Sequence, residues 1–167
     1  MDLQEIKNYF GDKMVLFNKN SDIDHLLNAK EKEILFKIGI PNYNLYGQHV
    51  MLKDIELINE RYLKFGTREH DENDFFLFID TKNHNIVFKF LGDEYNFLNT
   101  DLESYLMYIY LYKIFAKEIK IPQKLGPYYE NHEKYALELA KQFLTINEDF
   151  KKGAWSNLIE EMGYGVI

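Results

Sequence analysis

Apolar and polar residues alternate with changing period along the chain. Leu3 to Phe10 is predicted to be a helix stopped by Gly11, and Met14-Val15-Leu16-Phe17 a short edge strand. Asn18 to Asp22 reads as a turn. From Ala29 to Lys37, good helix formers place Ile34, Leu35 and Ile38 on one side, and Gly39 with Pro41 two residues on supplies the stop. Residues 42–50 read as a loop. Between Ile55 and Phe65, the set Leu57, Asn59, Arg61 partly alternates with Ile58, Glu60, Tyr62, which predicts a strand in the second half of that stretch, ending at Gly66.

The centre carries the strongest pattern. Phe75 to Ile79 is a continuous apolar run of strand length, Thr81 to Asn85 a polar turn, and Ile86 to Phe90 a second run rich in β-branched and aromatic residues; together they predict a β-hairpin. Leu91 to Glu94 supplies another turn and Tyr95 to Leu98 a third strand, with connections short enough for an antiparallel meander.

Thr100-Asp101-Leu102-Glu103 has the form of a capping box and opens a helix from Asp101 to about Glu118. In it Leu102, Tyr105, Leu106, Ile109, Tyr112 and Phe115 recur at helical spacing. Further apolar residues on other sides imply burial on more than one face, so this helix is expected to lie across the sheet. Beyond Pro122 and Pro127, Ala136, Leu139, Ala140, Phe143 and Leu144 mark a second amphipathic helix. Phe150, Ala154, Trp155, Leu158, Ile159 and Met162 mark a third, ended by Gly163. Helices, then a meander, then helices define an α+β fold: an antiparallel β-sheet meander packed against helices, with C-terminal helices. No repeat or linker interrupts it, so one domain of 167 residues is expected, with a core over about 29–118 and a helical part over about 128–163.

Composition narrows the functional classes. Hydrophobic residues make up 46%, including 13 Phe and 13 Tyr, which excludes a disordered chain. There is no cysteine, which removes disulfides, thiolate metal sites and a cysteine nucleophile, and the start of the chain lacks the basic and apolar blocks of a secretory signal. A cytoplasmic protein is the expectation. Even the greasiest segment, residues 105–116, carries Lys113 and many tyrosines, so no membrane span is expected. A net charge of −7 disfavours direct nucleic-acid binding and favours a cationic partner.

Candidate chemistry is sparse. Glu69-His70-Asp71-Glu72-Asn73-Asp74, with His84 across the hairpin turn, is the densest titratable cluster; it lacks the spacing of a metal motif and reads as a solvated acidic loop. His25 between Asp22 and Asp24 fits a helix start better than a cation site, and His49 and His132 read as surface residues. Tyr105, Tyr108, Tyr110 and Tyr112 could line a groove but fit the core better. No G-x-S-x-G elbow, Walker loop, G-x-G-x-x-G or H-E-x-x-H is present. Neither catalytic nor metal-binding residues are assigned, no cofactor is expected, and the chain is not expected to be an enzyme.

In the residues already singled out, the sequence resembles the SUKH superfamily, and within it the fourth SUKH family of bacterial immunity proteins. Phe36-Lys37-Ile38-Gly39-Ile40-Pro41 is similar to the family's helix followed by a Gly-apolar-Pro turn. Phe78-Ile79-Asp80 leading into Ile86-Val87 resembles its strand, Asp-containing turn and strand, and FLNTDLESYL, residues 97–106, resembles its Val-Asn-Ser-Ser-apolar-x-x-Phe segment. The likeness runs over most of residues 29–115, and Trp155 with Leu158 to Gly163 is similar to the C-terminal helix of that fourth family. Two positions depart from it: Asn83-His84-Asn85 stands where a turn glycine is common, and Thr100-Asp101 replaces a serine pair. Asn tolerates the left-handed conformation and Thr caps helices, so neither disturbs the fold.

The resemblance implies an intracellular antidote that binds and blocks a cognate secreted or contact-delivered toxin, often a nuclease, without catalysis. An acidic binder steered onto a basic cleft agrees with the charge. On that reading Glu69, Asp71, Glu72 and Asp74 before the central strand, and Asp93 with Glu94 in the next turn, are the expected toxin-binding residues. The alternatives are a regulatory or scaffolding module that binds a cellular protein, separable by gene neighbourhood, and an enzyme using His70 or His84 with neighbouring carboxylates.

Overall fold

The computed structural model describes residues 2–42, 49–68, 75–119 and 128–165. The chain divides into two compact units, Met1–Met107 and Tyr108–Ile167.

In the first unit, α1 (Leu3–Phe10) begins where the Asp2 carboxylate accepts the Glu5 amide at 2.8 Å, and it buries Leu3, Ile6 and Phe10 along one stripe. After a 3₁₀ turn at Gly11–Lys13, β1 (Met14–Val15) pairs antiparallel with β2 (Ile40–Pro41). Part of the predicted turn is a four-residue helix, α2 (Ser21–Asp24), because the Asn20 side chain caps Asp22 at 2.9 Å and Ile23 is buried. A capping box of Asn28 and Glu31 opens α3 (Ala29–Glu33), which widens into a π-helical turn over Ile34–Ile38. Gly39 closes it at φ 96°, its amide donating to the Ile34 carbonyl at 2.7 Å; a Cβ here would lie 2.9 Å from the Val15 carbonyl oxygen.

The main sheet holds β3 (His49–Ile58), β4 (Tyr62–Arg68), β5 (Phe75–Asp80), β6 (Ile86–Phe90) and β7 (Asn96–Asn99) in consecutive antiparallel order, a five-stranded meander. The stretch expected to hold a single strand contains a hairpin: Asn59 and Glu60 both take left-handed φ, 50° and 57°, and the Arg61 amide donates to the Ile58 carbonyl at 3.2 Å. Two successive left-handed residues match the twist of paired strands. The strand also continues through Gly66, where the register shifts against β5 and an added Cβ would meet Leu77 at 3.0 Å and Met51 at 3.1 Å.

One face of the sheet carries Leu63, Phe65, Leu77, Ile79, Ile86 and Leu98 into the core, with Tyr105 edge-on to Phe65 at 6.2 Å. On the other face Tyr62 stacks on Tyr95 at 3.7 Å, and both flank buried Phe78. α4 (Leu102–Ile119) is capped by Asp101, whose carboxylate accepts the Ser104 amide at 2.7 Å, one residue later than predicted. Its first turns bury Leu102, Tyr105 and Leu106 in this unit.

The second unit contains the later turns of α4 with α5 (Tyr128–Leu144) and α6 (Gly153–Gly163). Its centre is aromatic: Tyr108 stacks on Phe143 at 4.0 Å, and Trp155 meets both edge-on at 5.0 and 5.3 Å. Ala136, Leu139, Leu158 and Met162 complete this core, whereas Leu144, expected on the apolar stripe, ends its helix exposed. Among the described residues no helix is long and apolar enough to cross a membrane.

Candidate binding surface

Strand register gathers the ends of β4, β5 and β6 at one edge of the sheet. Thr67 pairs with Phe76 and Phe75 with Phe90, so Arg68, Phe75 and Phe90 terminate together. Phe75 stacks on Phe88 at 5.7 Å and reaches Phe90 at 6.2 Å. The turn after β6 then leaves the sheet, with Phe90 44% and Leu91 68% exposed, and Leu91 is left-handed at φ 43°. Asp93 and Glu94 follow, both exposed. The Lys89 ammonium donates to the Asp93 carboxylate at 2.9 Å, which holds that carboxyl below its ordinary range and raises Lys89. The Glu94 carbonyl accepts from the Asn96 side chain at 3.3 Å. Glu69, Asp71, Glu72, Asp74 and His70 lie outside the described residues.

His84 finds its carboxylate far away in sequence. In the turn after β5, at φ 61°, it places Nδ1 at 3.0 and 3.2 Å from the two oxygens of Glu31, which is 2% exposed. The same carboxylate accepts the Asn28 amide at 2.8 Å. Burial raises the Glu31 carboxyl above its usual value, against the lowering by the Asn28 amide and His84; nearby Asp101 adds to the rise. Asp80, also buried, accepts two bonds from the Arg61 guanidinium, at 2.9 and 2.6 Å, and one from the Lys82 amide at 3.1 Å. The Arg61 bonds, first, draw its carboxyl below the ordinary value. Both carboxylates hold turns in place.

The remaining candidates disperse. Asp24 is engaged by Lys32 at 2.6 Å, and His25 is exposed beside it. Asp22 rims an open groove of about 700 Å³ between α2 and the edge strand β3, floored by Ile23 and Ile55 and crossed by Lys53 and Lys64. The Lys64 ammonium is paired with Glu56. His132 is buried in the second unit, contrary to the surface position expected for it, on the inward side of α5 beside the Ala136 stripe. Tyr105, Tyr108, Tyr110 and Tyr112 are all buried. Burial alone drives the Tyr105 hydroxyl to higher pKa; it also raises Tyr108 to about 12, against the lowering by the Phe150 amide that donates to that oxygen at 3.3 Å, while the hydroxyl itself donates to Asn147 Oδ1 at 2.6 Å. Among the described residues no three of His, Asp or Glu are grouped to hold a metal ion.

Two features escaped the sequence. Asn28-Ala29-Lys30-Glu31 does carry a cap signal in Asn28 and Glu31, but nothing in the chain links Glu31 to His84. The turn from Leu91 to Glu94 is read from the sequence, but the exposure of Phe90, at the end of an apolar strand run, is not. Comparison of the chain with models of protein families, with curated proteins and with solved structures finds no match.

Proposed function

We propose that this chain is a non-catalytic, SUKH-like immunity protein that binds a basic protein toxin, with the sheet end bearing Asp93 and Glu94 turned toward it. The observation carrying the reading is the juxtaposition of exposed acid and exposed apolar side chain at that end, Asp93 and Glu94 beside Phe90 and Leu91. Protein interfaces use this mixture, an apolar anchor that excludes water and charges that steer the encounter. The interior carboxylates Glu31 and Asp80 are by contrast engaged inside the fold. A net charge of −7 supplies the long-range attraction for a basic cleft such as that of a nuclease.

The test is capture of partners from the source cell on the tagged chain, washed at low and high salt and identified by mass spectrometry, beside an Asp93→Lys/Glu94→Lys variant. A basic toxin retained at low salt, released at high salt and lost by the variant supports the reading. Equal retention by the variant moves the surface elsewhere. Recovery of a housekeeping complex instead favours a regulatory module.

A further inference from the structure

We infer that Leu91 is the apolar anchor of this surface, a side chain held in the open to enter a pocket on a basic protein partner. The inference rests on the proposed reading that the chain binds such a protein. Among the described residues Leu91 is the most exposed large apolar side chain, at 68%, and its neighbour Phe90 is 44% exposed and backed by the Phe75 ring. Together they form an apolar knuckle at the end of an ordered sheet.

The backbone makes the choice of leucine costly. At φ 43° its Cβ crowds the following carbonyl, a penalty that glycine does not carry. Gly92 stands one position later, so the turn already contains the residue that would relieve the strain, placed where it does not. Leu91 therefore costs the fold conformational energy and recovers little by burial. Glu60 carries a like strain inside a two-residue hairpin turn whose geometry calls for it; at Leu91 the strain coincides with an exposed apolar side chain, the combination that marks functional sites.

Charge decides the occupant. Asp93 is fully exposed in side chain and Glu94 is exposed beside it, and the bond from Lys89 leaves the Asp93 carboxylate open to solvent. A second copy of this chain would bring the same acids face to face, a repulsive arrangement. A cationic rim around an apolar pocket matches both features.

The test pans a phage-displayed random peptide library on the whole chain at low salt and measures the selected peptides on Leu91→Gly and on Asp93→Asn/Glu94→Gln. Basic peptides bearing an apolar residue should be enriched, and Leu91→Gly should weaken them about tenfold, the effect of removing an anchor. The melting temperature of Leu91→Gly should equal or exceed that of the wild type, since the substitution relieves the backbone. Basic peptides that bind Leu91→Gly as tightly as wild type and weaken only on the double variant overturn the anchor and leave the acidic reading standing. A lower melting temperature for Leu91→Gly also overturns it, because the leucine then serves the fold. Enrichment of peptides without basic residues, or of none, overturns the reading and the anchor together.

Discussion

Glu31 is the residue at which a helix start and a hairpin turn are fastened together. Its carboxylate closes the capping box with the Asn28 amide at 2.8 Å and meets His84 Nδ1 at 3.0 Å, at 2% exposure. Glu31→Ala deletes both bonds: the cap is worth about 1 kcal/mol and the buried bond to His84 about 1–1.5 kcal/mol, for a loss of about 2–3 kcal/mol. Glu31→Gln keeps an oxygen for the Asn28 amide and offers an N–H to the imidazole without a buried charge. Its expected change at neutral pH is within about 1 kcal/mol of zero.

The pH dependence has a definite sign. Burial lifts the folded-state value of the Glu31 carboxyl above 4.5, so the folded chain holds that proton more tightly than the unfolded chain. Its contribution is full below 4.5 and is lost as pH rises through the raised value, after which it is constant. Urea unfolding of wild type and Glu31→Gln across a series from about pH 4 to pH 8 should therefore show the variant gaining on the wild type within that window. The reasoning is refuted if Gln costs as much as Ala at neutral pH, for then the ionised carboxylate itself is what holds His84.

Other substitutions separate backbone from side-chain effects. Gly39→Ala combines φ 96° with a Cβ 2.9 Å from the Val15 carbonyl oxygen and should lose about 2–4 kcal/mol in urea unfolding. Glu60→Gly frees a left-handed residue at φ 57° in the β3–β4 turn and should gain about 0.5–1 kcal/mol after the entropy of glycine is subtracted, read as a higher melting temperature. Tyr108→Phe removes the bond to Asn147 at 2.6 Å and the acceptor for the Phe150 amide at 3.3 Å, and should cost about 1–2 kcal/mol at neutral pH. Because burial raises that phenol to about 12, the contribution of Tyr108 is complete below 10.0 and fades as pH rises through 12, so the gap between wild type and Tyr108→Phe should close over that range.

Much of the fold was legible because its signals are short. Gly11 and Gly39 stop α1 and the π-helical turn where the pattern put them, and the runs Phe75–Ile79 and Ile86–Phe90 pair as read. The β3–β4 hairpin was missed because its left-handed positions hold Asn59 and Glu60, without the glycine that marks such turns. The cap of α4 slipped by one because Thr100 and Asp101 are adjacent residues of equal capping chemistry, and only the Ser104 amide chooses between them.

Side-chain partnerships were less legible, for a physical reason: they depend on sheet register. His84 was weighed against carboxylates near it in the chain or across its hairpin, but β5 and β6 place its turn over the start of α3, and Glu31 meets it across a separation of 53 residues. The same register decides which acids remain available to a partner. Glu31 and Asp80 count toward the net charge of −7 as much as Asp93 and Glu94 do, yet they are buried against His84 and Arg61, whereas the pair Asp93 makes with Lys89 stands in solvent. An approaching cation responds to the acids left at the strand ends, so the placement of Asp93 and Glu94 beside Leu91 bears on recognition more than the total charge does.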